Sequence, residues 1–292
     1  MSNDSEGELA ILYAPSSSLN ASVALLTFVL QEHHCVILED WIKFFDHPVD
    51  ELVVHVGADA AIVLRLEKIC AAYEIKFSNL GVTTAGETTE NEKNLLSAQF
   101  DATTSDFACV VRLDTLPFRQ EGIEWQNGAM KLLDRLDAPF LTGGALPFRA
   151  DRSVDDPNYR LTQRISNCFL IIRPHVWKDL QQSNAASEAK YGRFSVEGVV
   201  EENLVARDLW GLRLLNRRDL RVLHSQEWGK RLLFVRDEFL KGRKITPFLR
   251  GHQDDFLGPN ERHYLELKPP LARRFRIFVG RWRRKFFGSG RL

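Results

Sequence analysis

Over the first 120 residues, short apolar runs alternate with stretches of helical spacing. Residues 9–14 (LAILYA) read as a first strand, closed by Pro15 and a serine triplet. Asn20 is placed to cap a helix carrying Val23, Leu26 and Leu30, which runs, with a break near His33 and His34, to Phe45 before Pro48. Glu51–Val56 (ELVVHV) is strand-length and β-branched, Gly57-Ala58-Asp59 is a turn, and residues 61–73 fit a second helix. Residues 74–77 form a short strand leading into Asn79-Leu80-Gly81, and residues 83–89 form a polar loop. Helical spacing resumes over residues 90–100 through Leu95, Leu96 and Ala98. Residues 107–113 are an apolar strand that stops at one carboxylate, Asp114, shortly before Pro117.

Strands alternating with helices imply a mostly parallel sheet covered on both faces, with ligands received at the carboxyl ends of the strands. Asp59, Asn79 and Asp114 all fall at that edge. Loops after strands are polar in any case, so chance placement stands beside the functional explanation.

Composition narrows the class. The 292 residues are 44% hydrophobic and 27% charged, as in a soluble globular protein of one large domain or two small ones. Cys35, Cys70, Cys109 and Cys168 lie far apart with no CxxC pair, and read as reduced core thiols. The polar, acidic start MSNDSEGE resembles no secretory leader, and no apolar run approaches the roughly 20 residues of a spanning helix. A cytoplasmic protein is the expectation. There is no GKS or GKT phosphate loop after Gly143-Gly144, no GxSxG, no HExxH, and no GxGxxG after a strand, which removes several enzyme classes. The segment 141–156 is expected to be an acceptor-side loop.

The order of motifs carries a resemblance. An apolar strand with Pro15, a strand ending in Gly57-Ala58-Asp59, then Asn79-Leu80-Gly81, a helix with Asn94, and a strand ending at Asp114 resemble the nucleotide-binding half of inverting glycosyltransferases with the A-type fold, the family-two group in particular. Downstream, residues 167–173 with Trp177 are similar to the strand entering the acceptor half. Glu201-Glu202-Asn203-Leu204, Arg207, Gly211 and His224 follow the family's acidic motif, Leu, Arg, Gly and closing His. The resemblance covers roughly residues 9 to 235.

It implies a single Rossmann-like mixed α/β sheet over residues 1–268, with a nucleotide-sugar-binding half (9–118) and an acceptor half (119–268). It also implies donor contacts from Pro15, Asp59, Asn79, Gly81, Asn94 and Asp114. A nucleotide-sugar donor carries a diphosphate whose charge grows as the glycosidic bond breaks, so a divalent cation, Mg or Mn, or Arg and Lys must stabilise it. The resemblance implies Asp114 as a ligand of that cation and His224 as a further metal ligand or a diphosphate contact. The family shows two or three acids where this chain has Arg112-Leu113-Asp114-Thr115, and Arg112 is expected on the opposite strand face. His55 stands where the family often has an acid that reads the base.

An inverting transfer needs a base for the acceptor hydroxyl. The resemblance assigns it to Glu201, with Glu202 as competitor; carboxylates at the start of a helix over 202–215 would equally complement its dipole. Turn or cap roles are the alternatives for Asp114, Asn79 and Gly81, and a structural role is the alternative for His224.

Formal net charge is zero, yet residues 271–292 hold seven Arg, one Lys and no acid. After Pro269-Pro270, Leu271, Phe275, Phe278, Trp282 and Phe286 recur at helical steps with the basic residues flanking them. The tail, 269–292, is thus expected to be an amphipathic helix on an anionic membrane surface, with docking on the acidic body or on nucleic acid as the other readings.

The combined expectation is a protein peripheral on the inner face of the membrane. It would move a sugar to a saccharide or lipid-linked acceptor in cell-surface glycan synthesis, with no nucleic-acid partner. The alternative is a catalytically inactive, glycosyltransferase-like binding or scaffold protein.

Overall fold

A strand whose two faces are both covered must be apolar at nearly every position, and such a run satisfies helical spacing by accident. Residues 23–29 (VALLTFV) are the case in point. In the computed structural model they form strand β1 (Val23–Val29), where the spacing suggests a helix. Val23, Leu25 and Val29 enter one hydrophobic cluster, and Ala24 and Leu26 enter the other. The break at His33 and His34 is where the strand has ended and helix α1 (His34–Phe44) begins. The structure describes residues 21–83, 89–143, 151–182, 190, 195–217, 219–225 and 227–241. The strand expected at 9–14, Pro15, the Asn20 cap and the 269–292 tail lie outside them.

Strand β2 (Glu51–Val56) follows as expected, and Asp59 caps α2 (Ala60–Ala72) by accepting a bond from Ala61 N at 2.9 Å. Strand β3 is longer than expected (Lys76–Val82), so Asn79 and Gly81 lie within it. Helix α3 (Thr89–Ala102), strand β4 (Phe107–Val111), strand β5 (Thr115–Arg119), helix α4 (Gln126–Arg135) and strand β6 (Phe140–Thr142) come next. The remaining elements are β7 (Arg152–Ser153), β8 (Tyr159–Thr162), β9 (Phe169–Ile172), α5 (Pro174–Leu180), α6 (Ser195–Ala206), β10 (Gly211–Leu214), β11 (Leu220–His224) and α7 (Gly229–Leu240).

Nine strands form one mixed sheet in the order β3-β2-β1-β4-β9-β6-β10-β8-β7, and β11 pairs with β5 in a separate ribbon. Strands β1 to β4 run parallel, and β9 then enters antiparallel between β4 and β6. This is the single Rossmann-like mixed sheet that the resemblance implies. One face is covered by α3, α5 and α6, with Phe100 stacked on Trp177 at 4.6 Å. The other carries α1, α2 and α4, where Phe169 lies among Trp41, Phe44 and Trp125.

The helix expected over 202–215 is displaced. Its apolar stripe is Val196, Val200 and Leu204 in α6, which ends at Ala206. Asp208 takes φ +50°, Leu209 N closes on Leu204 O, and the chain re-enters the sheet as β10. Gly211 is required at that point, because a Cβ there would sit 2.3 Å from the ring of buried Phe140. Glu201 and Glu202 therefore lie inside a helix, not at its start.

Candidate active site

The order β3-β2-β1-β4 reverses chain progression between β1 and β4, and a crevice forms above the carboxyl ends of such a pair. A cavity of about 500 Å³ lies there. Its apolar wall comes from the end of β1 (Phe28, Leu30), from α3 (Leu95, Leu96) and from β4 (Val110, Val111); Arg112, Asp114, Glu92, Asn167 and His34 make it polar at other points, together with half-exposed Trp228.

Asp114 is fixed from both sides of its peptide. Its carbonyl accepts bonds from Ser225 N at 2.9 Å and Ser225 Oγ at 2.6 Å. Its Oδ2 accepts from His224 Nε2 at 3.1 Å, since Thr115 and His224 are register partners in the β5–β11 ribbon. Arg112 Nε is 3.5 Å from Asp114 Oδ1, and Arg112 Nη1 is 3.9 Å from Glu92 Oε1. Arg112 thus faces the cavity, contrary to the expected opposite face. Strand β4 ends at Val111 and Thr115 N turns back onto Arg112 O, so strand alternation no longer sets its direction.

The charges follow from this packing. Burial would raise the Asp114 pKa, but the His224 bond and charge, with Arg112, hold it below the usual carboxylate range. Burial would lower the His224 pKa, yet Cys168 and Asp114 beside it carry it up to about 10. His34 goes the other way: burial, with His33 adding, lowers it to about 4. Its Nδ1 accepts from Leu30 N at 3.1 Å, which leaves Nε2 as an N–H donor. His34 Nε2, Asp114 Oδ1 and Asn167 Oδ1 are buried without a hydrogen-bond partner in the protein, three polar atoms on residues that line the cavity.

The other anticipated site residues are dispersed. Asp59 is an exposed helix cap, Asn79 Oδ1 accepts from Gly81 N at 2.9 Å with Gly81 at φ +115°, and Asn94 is exposed on α3; none lines the cavity. His55 is buried beneath it, stacked on Phe28 at 5.8 Å and bonded to Leu95 O at 3.2 Å. Glu201 Oε1 receives Arg164 Nε and Ile165 N, each at 3.2 Å, and Glu202 pairs with Lys190 at 3.1 Å. Neither carboxylate lines the cavity.

The acid that α6 turns toward the Asp114 group is Glu197, which the sequence reading missed. It accepts from Asn167 N at 2.9 Å and feels the charges of Arg112 and His224, while burial raises its pKa. It stands four residues before Glu201 and so shares its helix face, a signal that the misplaced helix start hid. Burial raises Glu201 likewise, against the pull of Arg164.

The expected metal ligands do not fit a cation. His224 Nε2 donates to Asp114, so that nitrogen has no lone pair for a metal, and Asp114 already faces two positive groups. No cluster of three His, Cys, Asp or Glu side chains with ligand geometry occurs among the described residues. Nor is any helix among them long and apolar enough to cross a membrane.

No family model and no curated protein matches the sequence. Among solved structures, the chain is similar to residues 1–349 of TarS from S. aureus (13% identity, 60% of this chain, TM-score 0.39), and spans 55% of that chain's length. The same TarS segment in complex with UDP aligns over 88% of this chain and 78% of its own, at 13% identity and TM-score 0.45. The mannosyltransferase PcManGT from Pyrobaculum calidifontis, in complex with GDP-Man and Mn²⁺, aligns over 94% of this chain and 83% of its own, at 10% identity and TM-score 0.46. With these TM-scores below 0.5, the likeness carries no chemistry over to this chain, whose own residues define the site.

Proposed function

We propose that the protein is a glycosyltransferase that takes a sugar from a nucleotide donor and passes it to a saccharide or lipid-linked saccharide in cell-surface glycan synthesis. One observation carries this reading: a cavity at the β1–β4 switch point has an apolar wall suited to a base and ribose, and ends at Arg112 and at Asp114, whose carboxylate His224 holds from behind. As the bond from the sugar's anomeric carbon to the diphosphate breaks, charge grows on the phosphate oxygens, and Arg112 is placed to offset it. The new bond forms from the acceptor oxygen on the opposite face of that carbon, so the transfer inverts, and the acceptor's proton passes to a carboxylate of α6. Glu197, which like Glu201 and Glu202 does not line the cavity itself, is the first choice for that base because it is held against the cavity wall by Asn167 N. Glu201 is engaged by Arg164 and Ile165 N, and Glu202 by Lys190.

The test is nucleotide release from UDP- and GDP-sugars by the full chain with saccharide acceptors. Glu197→Gln is expected to lower turnover by about 10²- to 10⁴-fold, and Glu202→Gln to leave it unchanged. Full turnover in Glu197→Gln would refute the assignment of the base. A second reading, a binding protein without turnover, is favoured by the neutralisation of Asp114 within its own ion pairs. It predicts saturable nucleotide binding with no release from any sugar nucleotide.

Residues 271–292 are proposed to hold the enzyme on an anionic membrane, each basic side chain near the surface adding about 1 kcal/mol. Deleting them is expected to abolish flotation with phosphatidylserine vesicles at low salt. Unchanged flotation would remove this part of the reading.

A further inference from the structure

The polar end of the cavity contains a cation that the chain itself supplies. Glu92 comes from α3 and Asp114 from the loop after β4, and the guanidinium of Arg112 stands between them, 3.9 Å from one carboxylate and 3.5 Å from the other. A hard divalent ion at a diphosphate commonly borrows only one or two protein carboxylates and takes its remaining ligands from phosphate oxygens and water. Here the point between two such carboxylates is already filled. The Arg112 side chain is 43% exposed, and Arg112 is the one Arg or Lys among the described residues lining the cavity. Both carboxylate contacts are too long to saturate its planar fork of N–H donors, which matches phosphate geometry.

Resting on the nucleotide reading above, we propose that Arg112 is the resident counter-cation of this site, so that a nucleoside diphosphate binds there without a divalent ion. The two carboxylates hold the guanidinium at the diphosphate end. Without it Glu92, and the Oδ1 of Asp114 that His224 does not engage, would face the phosphates as negative charge and repel them. Removing Arg112 therefore does two things at once: it weakens metal-free binding, and it frees Glu92 and the Oδ1 of Asp114 to accept a divalent ion in its place.

The experiment is calorimetric titration of the full chain with UDP, GDP, ADP and CDP, in EDTA and in excess Mn²⁺. For the wild type, the nucleotide that binds is expected to have a Kd in EDTA within about threefold of that in Mn²⁺, a difference under 1 kcal/mol. Arg112→Ala should weaken binding in EDTA by about 10- to 100-fold, the scale of one lost charge-assisted contact, and Mn²⁺ should restore most of it. Arg112→Lys, which keeps the charge without the fork, should fall between them. Circular-dichroism melting of both variants checks that they are folded, and if Arg112→Ala is not, Arg112→Lys carries the comparison.

Wild-type binding that requires Mn²⁺ overturns the proposal while leaving the nucleotide site in place. So does metal-free binding by folded Arg112→Ala at wild-type strength. Failure of all four nucleotides in both buffers overturns the nucleotide reading and this inference with it.

Discussion

Replacing Phe169 by Ala is expected to lower the free energy of unfolding by about 3–5 kcal/mol, the cost of deleting a buried aromatic side chain from a core that cannot collapse around the gap. Phe169 is fully buried at the start of β9. Trp41 lies against it at 5.4 Å and 22°, while Phe44 at 5.7 Å and Trp125 at 6.1 Å meet it edge-on. Three large rings from α1 and from the start of α4 thus converge on one side chain, and none can move in without leaving its own contacts. Its carbonyl also accepts from Thr142 Oγ1 and Gly143 N, both at 3.0 Å, so the start of β9 is fixed through this residue. Asn167 lies two positions earlier on the cavity wall, and nucleotide affinity should fall together with stability. Urea unfolding measures the effect; a loss below about 1 kcal/mol would mean that the aromatic cluster is not the keystone of that face.

Replacing Asp114 by Ala should have the second large effect, about 3 kcal/mol, because it leaves the mostly buried His224 without its counter-charge, the half-exposed Arg112 adding little. The pH dependence gives the sign. His224 is raised to about 10 in the fold, so its contribution is complete below the ordinary histidine value near 6.5 and is lost as pH rises toward 10. The Asp114 pKa is lowered, so its contribution is present above about 3.9 and is lost as pH falls through its folded value. The difference between wild type and variant should therefore be widest between about pH 4 and 6.5, and narrow on either side. Denaturant melts across pH 4 to 10 test this. A difference that stays flat over the whole range would break the link between the ion pair and stability.

These two residues also mark what could be read along the chain. Asp114 was legible because it interrupts an apolar run, and its position after a strand puts it at the ligand edge whatever the strand order. Strand β2, helix α2 and helix α3 carried clear local signals and lie within a residue or two of expectation. Strand β1 did not, because burial on both faces erases the alternation that separates a strand from a helix. Glu197 and Arg112 were lost for related reasons. One sits upstream of a helix whose start was placed too late, and the other takes its direction from a turn, not from strand parity. The partnership of His224 with Asp114 spans 110 positions and depends on a ribbon register that no local pattern encodes.

The antiparallel insertion of β9 has a kinetic consequence. Strand β9 divides a sheet whose first four strands could zip up in sequence, and the group around Asp114 gathers segments near residues 112, 167, 197 and 224. Contacts so remote along the chain require large loops to close before any reward is collected, which slows folding. The scaffold of β1 to β4 is thus expected to order ahead of the charged pocket, which matures last, once β11 has been recruited.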